Sequence, residues 1–133
     1  MGYLLDTNIV SAIVNQSPEI RQKLLDAELE TQELFISCMT YYEVKRGLVY
    51  VNATRKLSIF NDFCEIAKIL FLDSVEVLET ASEIHVNLRR LGRPIQDADI
   101  LIAATAITHN LTLVSNDSDL LRVPGVRLEN WLN

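Results

Sequence analysis

An α/β fold with a parallel central sheet and helices on both faces is predicted by two patterns in the chain. Short apolar runs alternate with stretches of helical periodicity from end to end, and the connections between the runs are too long for hairpins. The run Tyr3-Leu4-Leu5, ending at Asp6, reads as the first strand, and Ile9 to Val14 as a helix stopped by Asn15 and Pro18. From about Glu19 to Glu30, Ile20, Leu24, Leu25 and Leu29 recur at helical spacing among charges. Leu34-Phe35-Ile36 is then a second strand, and a helix follows from about Thr40 to Val49. Leu57, Phe60, Phe63, Cys64, Ala67 and Leu70 form the stripe of an amphipathic helix. A third strand is expected near Val75 to Leu78, with helix up to Leu91 and a break at Gly92 and Pro94. Ala98 to Thr108 is a nearly all-apolar helix that must be buried on most sides, and Leu111 to Val114 is the clearest strand.

A length of 133 residues suits one compact domain, expected to span 1–133, because two cores of half this size would each be marginal. An apolar fraction of 49% and a charged fraction of 23% are ample for a buried core and leave room for an apolar partner surface. The longest apolar stretch, around Ile100 to Ile107, is far too short to span a bilayer. The N-terminal MGYLLDTN carries neither a secretory nor a lipidation signal, so a cytoplasmic location is expected. Cys38 and Cys64 form no CxxC, and His85 and His109 have no ligand spacing, which argues against a disulfide framework and against zinc. The net charge of −6 weighs against a nucleic-acid partner unless several carboxylates surround a cation that reverses the local field.

In open parallel sheets the functional crevice lies at the carboxyl ends of the strands. Asp6 follows the first strand directly, Glu43 sits just inside the helix after the second, and Asp117 lies just past the last. Asp99 opens the buried helix that leads back into that last strand, so it starts at the same edge. Each acid also has an ordinary reading. Asp6 can cap a helix, Thr40-x-x-Glu43 matches a capping box, Asp99 suits a helix dipole, and Asp117 in SNDSD suits a turn. Their joint placement is what points to chemistry, because like charges at contact separations repel by several kcal/mol at an effective dielectric of ~20. Oxygen-only ligands suit Mg²⁺ or Mn²⁺, which can activate a water and neutralise a leaving oxygen in phosphodiester hydrolysis. Asp97 either caps the buried helix or supports the site, and Asp119 is expected to be solvated.

LLDTN at 4–8, YYEVKRG at 41–47, DILIAATA at 99–106, LTLVSND at 111–117 and RVPGVRLENW at 122–131 resemble the PIN-domain family, and more closely its VapC-type toxins. The motifs occur nearly end to end and in family order. The resemblance implies a Rossmann-like α/β/α domain, a Mg²⁺-dependent endoribonuclease, a homodimer, and inhibition by a VapB-type antitoxin whose tail packs into an apolar groove. Carried over by position, the metal-site acids would be Asp6, Glu43, Asp99 and Asp117, with polar support from Thr7 or Asn8 and Ser115 or Asn116. Two departures stand out. Gln96 and Asp97 replace the usual Gly and Pro before Asp99, and Leu120 and Leu121 stand where relatives tend to have Phe.

Candidate RNA contacts are Lys45 and Arg46, Arg55 and Lys56, and above all the cluster Arg89, Arg90 and Arg93 beside the loop leading to Asp99. A structured RNA with an exposed loop, in tRNA or rRNA, is the expected substrate, since unpaired bases are what side chains can read. Self-association is expected through apolar residues near Tyr42, Val49, Tyr50 and Val51. A DNA nuclease, a phosphoacceptor domain and an inactive metal-binding module remain alternatives; Asn8, where a phosphoacceptor site would have a second Asp, speaks against the second of these.

Overall fold

In chain order the elements are β1 (Gly2–Leu5), α1 (Thr7–Val14), α2 (Pro18–Leu29), β2 (Glu33–Ser37), α3 (Cys38–Tyr50), α4 (Thr54–Ile66), β3 (Lys68–Leu70), α5 (Val75–Arg90), α6 (Asp97–Thr108), β4 (Thr112–Val114), a 3-10 turn (Ser118–Arg122) and β5 (Leu128–Glu129). The computed structural model describes residues 1–132. The strands form one sheet in the order β3-β2-β1-β4-β5, and every pairing is parallel. The expected parallel α/β architecture is therefore present.

Strand side chains alternate between the two faces of the sheet, so a central strand of a covered sheet must be apolar on both. Leu4 and Leu113 enter one core with Val77, Ile84 and Leu88 of α5 and Ile100, Ile102 and Ala103 of α6. Leu5 and Val114 enter the other, with Ile9 and Val10 of α1, Ile20 of α2, Val44 of α3 and Phe60 and Phe63 of α4. Two helix layers result, α5 and α6 on one face and α1 to α4 on the other. Trp131 closes the second core, with its ring edge-on to Tyr3 at 5.0 Å between centroids.

The third strand lies elsewhere than the sequence predicts. Val75 to Leu78 forms the first turn of α5, whereas β3 is Lys68–Leu70, paired through Ile69 to Ile36. The β-branched Val75 and Val77 read locally as strand, but Val77, Ala81, Ile84 and Leu88 bury a helical stripe and Ser74 caps the helix through the Val77 amide at 3.3 Å. The apolar stripe running to Leu70 is split as well. The chain turns extended at Ala67 (ψ 141°) with no Gly or Pro to mark the break, so Ile69 and Leu70 belong to the sheet. The two-residue β5 and the 3-10 turn carry no sequence pattern that anticipates them.

The ends of α3 and α6 differ from expectation in a way that bears on the site. Thr40 and Glu43 form no capping box, because α3 starts earlier: Ser37 is the cap residue and its hydroxyl accepts from the Met39 amide at 3.0 Å. Nor does Asp97 cap α6. The cap position falls to Gln96, no side chain bonds the first-turn amides there, and Asp97 is the exposed first residue of the helix.

Gly2 is where the sheet tolerates least. A Cβ there would lie 2.8 Å from Cε2 of Phe35 and 2.9 Å from the backbone oxygen of Glu33, on the neighbouring strand. Gly2→Ala should destabilise the fold by about 1–3 kcal/mol through forced displacement of β1 from β2, read as a lower urea midpoint. An unchanged midpoint would mean that β1 shifts freely.

Candidate active site

The strand order reverses at the β1/β4 boundary, which places the crevice at their carboxyl ends. Parallel register sets Leu5 beside Val114, and the ladder ends with the Asp6 amide donating to Val114 O at 2.9 Å. Asp6 and Ser115 are thus the first residues past two adjacent strands. Ser115 donates its hydroxyl to Asp6 Oδ2 at 2.7 Å, and the Thr7 amide donates to Asp6 Oδ1 at 2.8 Å. Asp6 therefore does cap α1, and the capping and site readings are compatible. The Asn8 amide reaches Ser115 Oγ at 3.2 Å and Asp6 Oδ2 at 3.4 Å, while Asn8 Oδ1 accepts from the Asn116 amide at 3.3 Å. Ser115 Oγ also accepts from the Asp117 amide at 3.0 Å, and Asp117 Oδ1 caps the 3-10 turn through the Asp119 amide at 2.9 Å. Thr7, Asn8, Ser115 and Asn116 all contribute to one network around Asp6.

Glu43 and Asp99 come from opposite helix layers. Glu43 Oε1 accepts from Thr7 Oγ1 at 3.0 Å, which ties α3 to the start of α1, and Thr7 Oγ1 lies 3.2 Å from Thr40 Oγ1. Asp99 is in the first turn of α6, where the helix dipole favours a negative charge.

Electrostatics records the crowding. Burial, with Asp6 only 4% exposed, pushes its carboxyl above the ordinary range; the Ser115 and Thr7 hydrogen bonds oppose this, and Asp117 and Glu43 add to it. Asp99 is raised from 3.8 to about 6, chiefly by burial and then by the charges of Asp6, Asp117, Glu43 and Asp119. The ion pairs among the described residues are Lys68–Glu33 and Arg122–Asp119, and neither involves Asp6, Glu43, Asp99 or Asp117. The four acids thus share a region without a cationic side chain bound to them.

No group of three or more such side chains among the described residues is assembled closely enough to hold an ion by itself. A hard divalent cation such as Mg²⁺, which retains several waters and needs only one or two protein carboxylates, would be compatible with oxygen donors of this kind. Were such an ion bound, Asp6, the buried member, and Asp99, the most perturbed one, would be the acids to hold it, with Glu43 and Asp117 in support. Asp97 is exposed, and Asp119 is partly neutralised by Arg122 at 3.2 Å.

Arg122 is a residue that sequence reasoning passed over. Its second nitrogen donates to Pro94 O at 3.4 Å, which links the 3-10 turn after Asp117 to the loop before Asp99. The only local signal was its i, i+3 spacing from Asp119. Among the predicted basic contacts, Arg46 stacks over Tyr42 at 5.0 Å, and Lys45 lies near Cys64, about 200° round α3 from Glu43. Arg89 and Arg90 end α5, and the Gly92 amide to Arg89 O and the Arg93 amide to Leu88 O close a Schellman turn with Gly92 at φ +70°. All three arginines are exposed on the approach to α6.

The Asp99 shift carries a sign. Its folded-state value is raised, so the stabilisation of the protonated form is complete below 3.8 and is lost as pH rises through about 6. In chelator, Asp99→Asn should match wild type near pH 4 and exceed it near pH 7. The full shift would correspond to about 3 kcal/mol, and solvent screening of this half-buried carboxylate reduces that to roughly 1 kcal/mol. Urea unfolding of both proteins at the two pH values measures the difference; a variant less stable than wild type at pH 7 would assign Asp99 to helix capping instead.

Residues 3–126 match the PIN domain family. Ribonuclease VapC2 of Rickettsia felis is 30% identical over 139 residues, covering 98% of this chain and 98% of that protein. The tRNA(fMet)-specific endonuclease VapC of Salmonella typhimurium is 30% identical over 134 residues with the same coverage of both, 98%. The solved complex of VapBC2 from Rickettsia felis with a promoter DNA fragment contains a chain that superposes with a TM-score of 0.88 at 28% identity, over 98% of this chain and 99% of that one. Together with the acid-lined crevice at the β1/β4 boundary, these similarities establish that the chain belongs to the PIN domain family, in its VapC group.

Proposed function

We propose that this chain is a Mg²⁺-dependent endoribonuclease, the toxin of a VapBC-type pair, with Mn²⁺ able to substitute. The observation that carries the reading is the set of four carboxylates, without cationic partners among the described residues, at the sheet's switch point, where burial and then the neighbouring charges raise Asp99 to about 6. Bound there, the cation would lower the pKa of a water and offset charge on the leaving oxygen. The chain's own part is to hold the ligands still: Ser115 and the Thr7 amide fix both oxygens of Asp6, and Thr7 Oγ1 fixes Glu43. Arg89, Arg90 and Arg93, exposed beside the α6 loop, supply phosphate contacts. The substrate is a structured RNA cut at an exposed loop. A tRNA is favoured over rRNA by the specificity that the Salmonella relative's name states, and a cytoplasmic site of action goes with either. No helix among the described residues is long and apolar enough to cross a membrane.

The partner is a VapB-type antitoxin, as in the VapBC complexes among the structural relatives. A groove of about 600 Å³ between α2 and α4, lined by Ile13, Ile20, Leu24, Leu25, Phe63 and Ile66 among others, suits an apolar segment of it. This groove contains none of the four acids. A homodimer would cover part of the remaining apolar surface, where Tyr42, Val49, Tyr50 and Val51 are 51–86% exposed along α3 and just past its end.

Cleavage of total RNA should require Mg²⁺ or Mn²⁺ and stop in chelator. Asp99→Asn should lower it by at least about a hundredfold, since even groups that only support a metal ligand commonly contribute 10–100-fold. Single-stranded DNA, digested in parallel, should survive. Chelator-resistant cleavage, or DNA cut as readily as RNA, would overturn the assignment. For the partner, Leu25→Glu with Ile66→Glu, both on exposed groove walls, should weaken binding of the antitoxin encoded alongside at least roughly tenfold while the fold persists. Undiminished affinity in a titration would remove the groove as the docking face.

A further inference from the structure

Thr40 lies in the first turn of α3 with none of its surface exposed, yet its hydroxyl does no capping, because Ser37 already bonds the Met39 amide. Its one side-chain partner among the described residues is Thr7 Oγ1, at 3.2 Å. The direction of that bond follows from counting protons. A threonine hydroxyl has one hydrogen to donate, and an ionised carboxylate can only accept. Thr7 Oγ1 lies 3.0 Å from Glu43 Oε1, so its single hydrogen goes to Glu43. Thr40 must then be the donor to Thr7.

We infer that Thr40 is a positioning residue for Glu43, acting through the directed chain Thr40 to Thr7 to Glu43. This rests on the proposed role of Glu43 at the metal site. Thr7 is the link between two acids, for its amide holds Asp6 Oδ1 at 2.8 Å while its hydroxyl holds Glu43. A hydroxyl that accepts one hydrogen bond becomes a better donor in the next, and the buried Thr40 fixes which rotamer Thr7 adopts. Glu43 Oε2 accepts no protein hydrogen bond among the described residues and stays available to the crevice. The T-x-x-E pattern that reads as a capping box is on this account a metal-site device: the same two side chains, three residues apart on one helix face, turned towards α1 instead of back to the α3 amides.

The test is Mn²⁺ binding by the purified, metal-free protein, followed by the free-ion electron paramagnetic resonance signal, with thermal unfolding measured beside it. Thr40→Val keeps the shape and removes the donor, and should weaken Mn²⁺ binding about tenfold, the lower end for a group that orients a metal ligand. Thr40→Ser restores the hydroxyl and should bind within about twofold of wild type. Glu43→Gln should weaken binding at least as much, and adding Thr40→Val to it should cost little more, because groups acting through one another are not additive. Thr7→Val breaks the chain at its partly exposed middle member and should reproduce the loss, so a Thr40→Val that failed to fold would leave a decisive measurement. Wild-type Mn²⁺ affinity in Thr40→Val or Thr7→Val, with Glu43→Gln impaired, would overturn the positioning role alone. Wild-type affinity in Glu43→Gln would instead overturn the assignment of Glu43 to the metal site.

Discussion

A buried carboxylate without a cationic side chain bound to it, at the one place where a parallel sheet opens a crevice, is the constraint on which the rest of this structure depends. Asp6 must lose most of its hydration, and each oxygen is compensated only by neutral donors, the Ser115 hydroxyl, the Thr7 amide and at longer range the Asn8 amide. Hydrogen bonds to charged groups contribute roughly 1.5–3 kcal/mol each. Even so, burial prevails and the carboxyl stays raised. Glu43, Asp99 and Asp117 then add like charge that no lysine or arginine among the described residues offsets by direct contact. An arrangement of this kind costs stability in the free protein, and a divalent cation bound there, as proposed, would relieve it by offsetting the repulsion and supplying a partner at once.

The fold turns that constraint into a site by drawing its members from every layer. Asp6 and Ser115 end the two central strands, Glu43 comes from the α1–α4 layer and Asp99 from the α5–α6 layer. Each stands within a turn of a well-packed apolar neighbour: Leu5 before Asp6, Val44 after Glu43, Ile100 after Asp99, Val114 before Ser115. Rigid cores on both sides hold the backbone, and short hydrogen-bonded links hold the side chains. The exception is the segment with Asp117, a 3-10 turn fastened by Arg122 to Asp119 and Pro94 O rather than by a long element. A cation held across the crevice would couple the two helix layers.

The parts legible in the sequence are those where local pattern and tertiary role agree. The apolar runs before Asp6 and before Ser115, and the helix from Asp97 to Thr108, are buried because nearly every residue in them is apolar, and a parallel sheet with both faces covered requires that. The convergence of the four acids on one edge was legible through their positions, since strand ends of such sheets share that edge. β3 was not, because a three-residue strand at the sheet's edge has too little pattern of its own, while Val75 and Val77 carry strand-like side chains on a helix. Thr40 and Arg122 were misread or missed for a related reason. Each has a local partner in the sequence, Glu43 three residues on and Asp119 three residues back, but its decisive contact is distant, with Thr7 and with Pro94 O.

The overall charge of −6 becomes intelligible once its distribution is considered. On the proposed function a polyanionic substrate would have to reach a crevice lined by acids, and Lys and Arg at large cannot draw it there because they are outnumbered, 12 to 18. Long-range attraction is therefore weak, and what remains is local: the cation proposed for the acids, and three arginines at the end of α5 on the approach to α6. The Schellman turn around Gly92 fixes the direction in which Arg93 leaves the helix, and Arg89 and Arg90 also complement the negative end of the α5 dipole, so these charges serve the helix as well as a ligand. A binding surface made of a few fixed charges around one cation rewards a substrate whose phosphates match that spacing and offers little to one that does not. Discrimination by shape would then follow, on the proposed function, from the same scarcity of positive charge that first argues against a nucleic-acid partner.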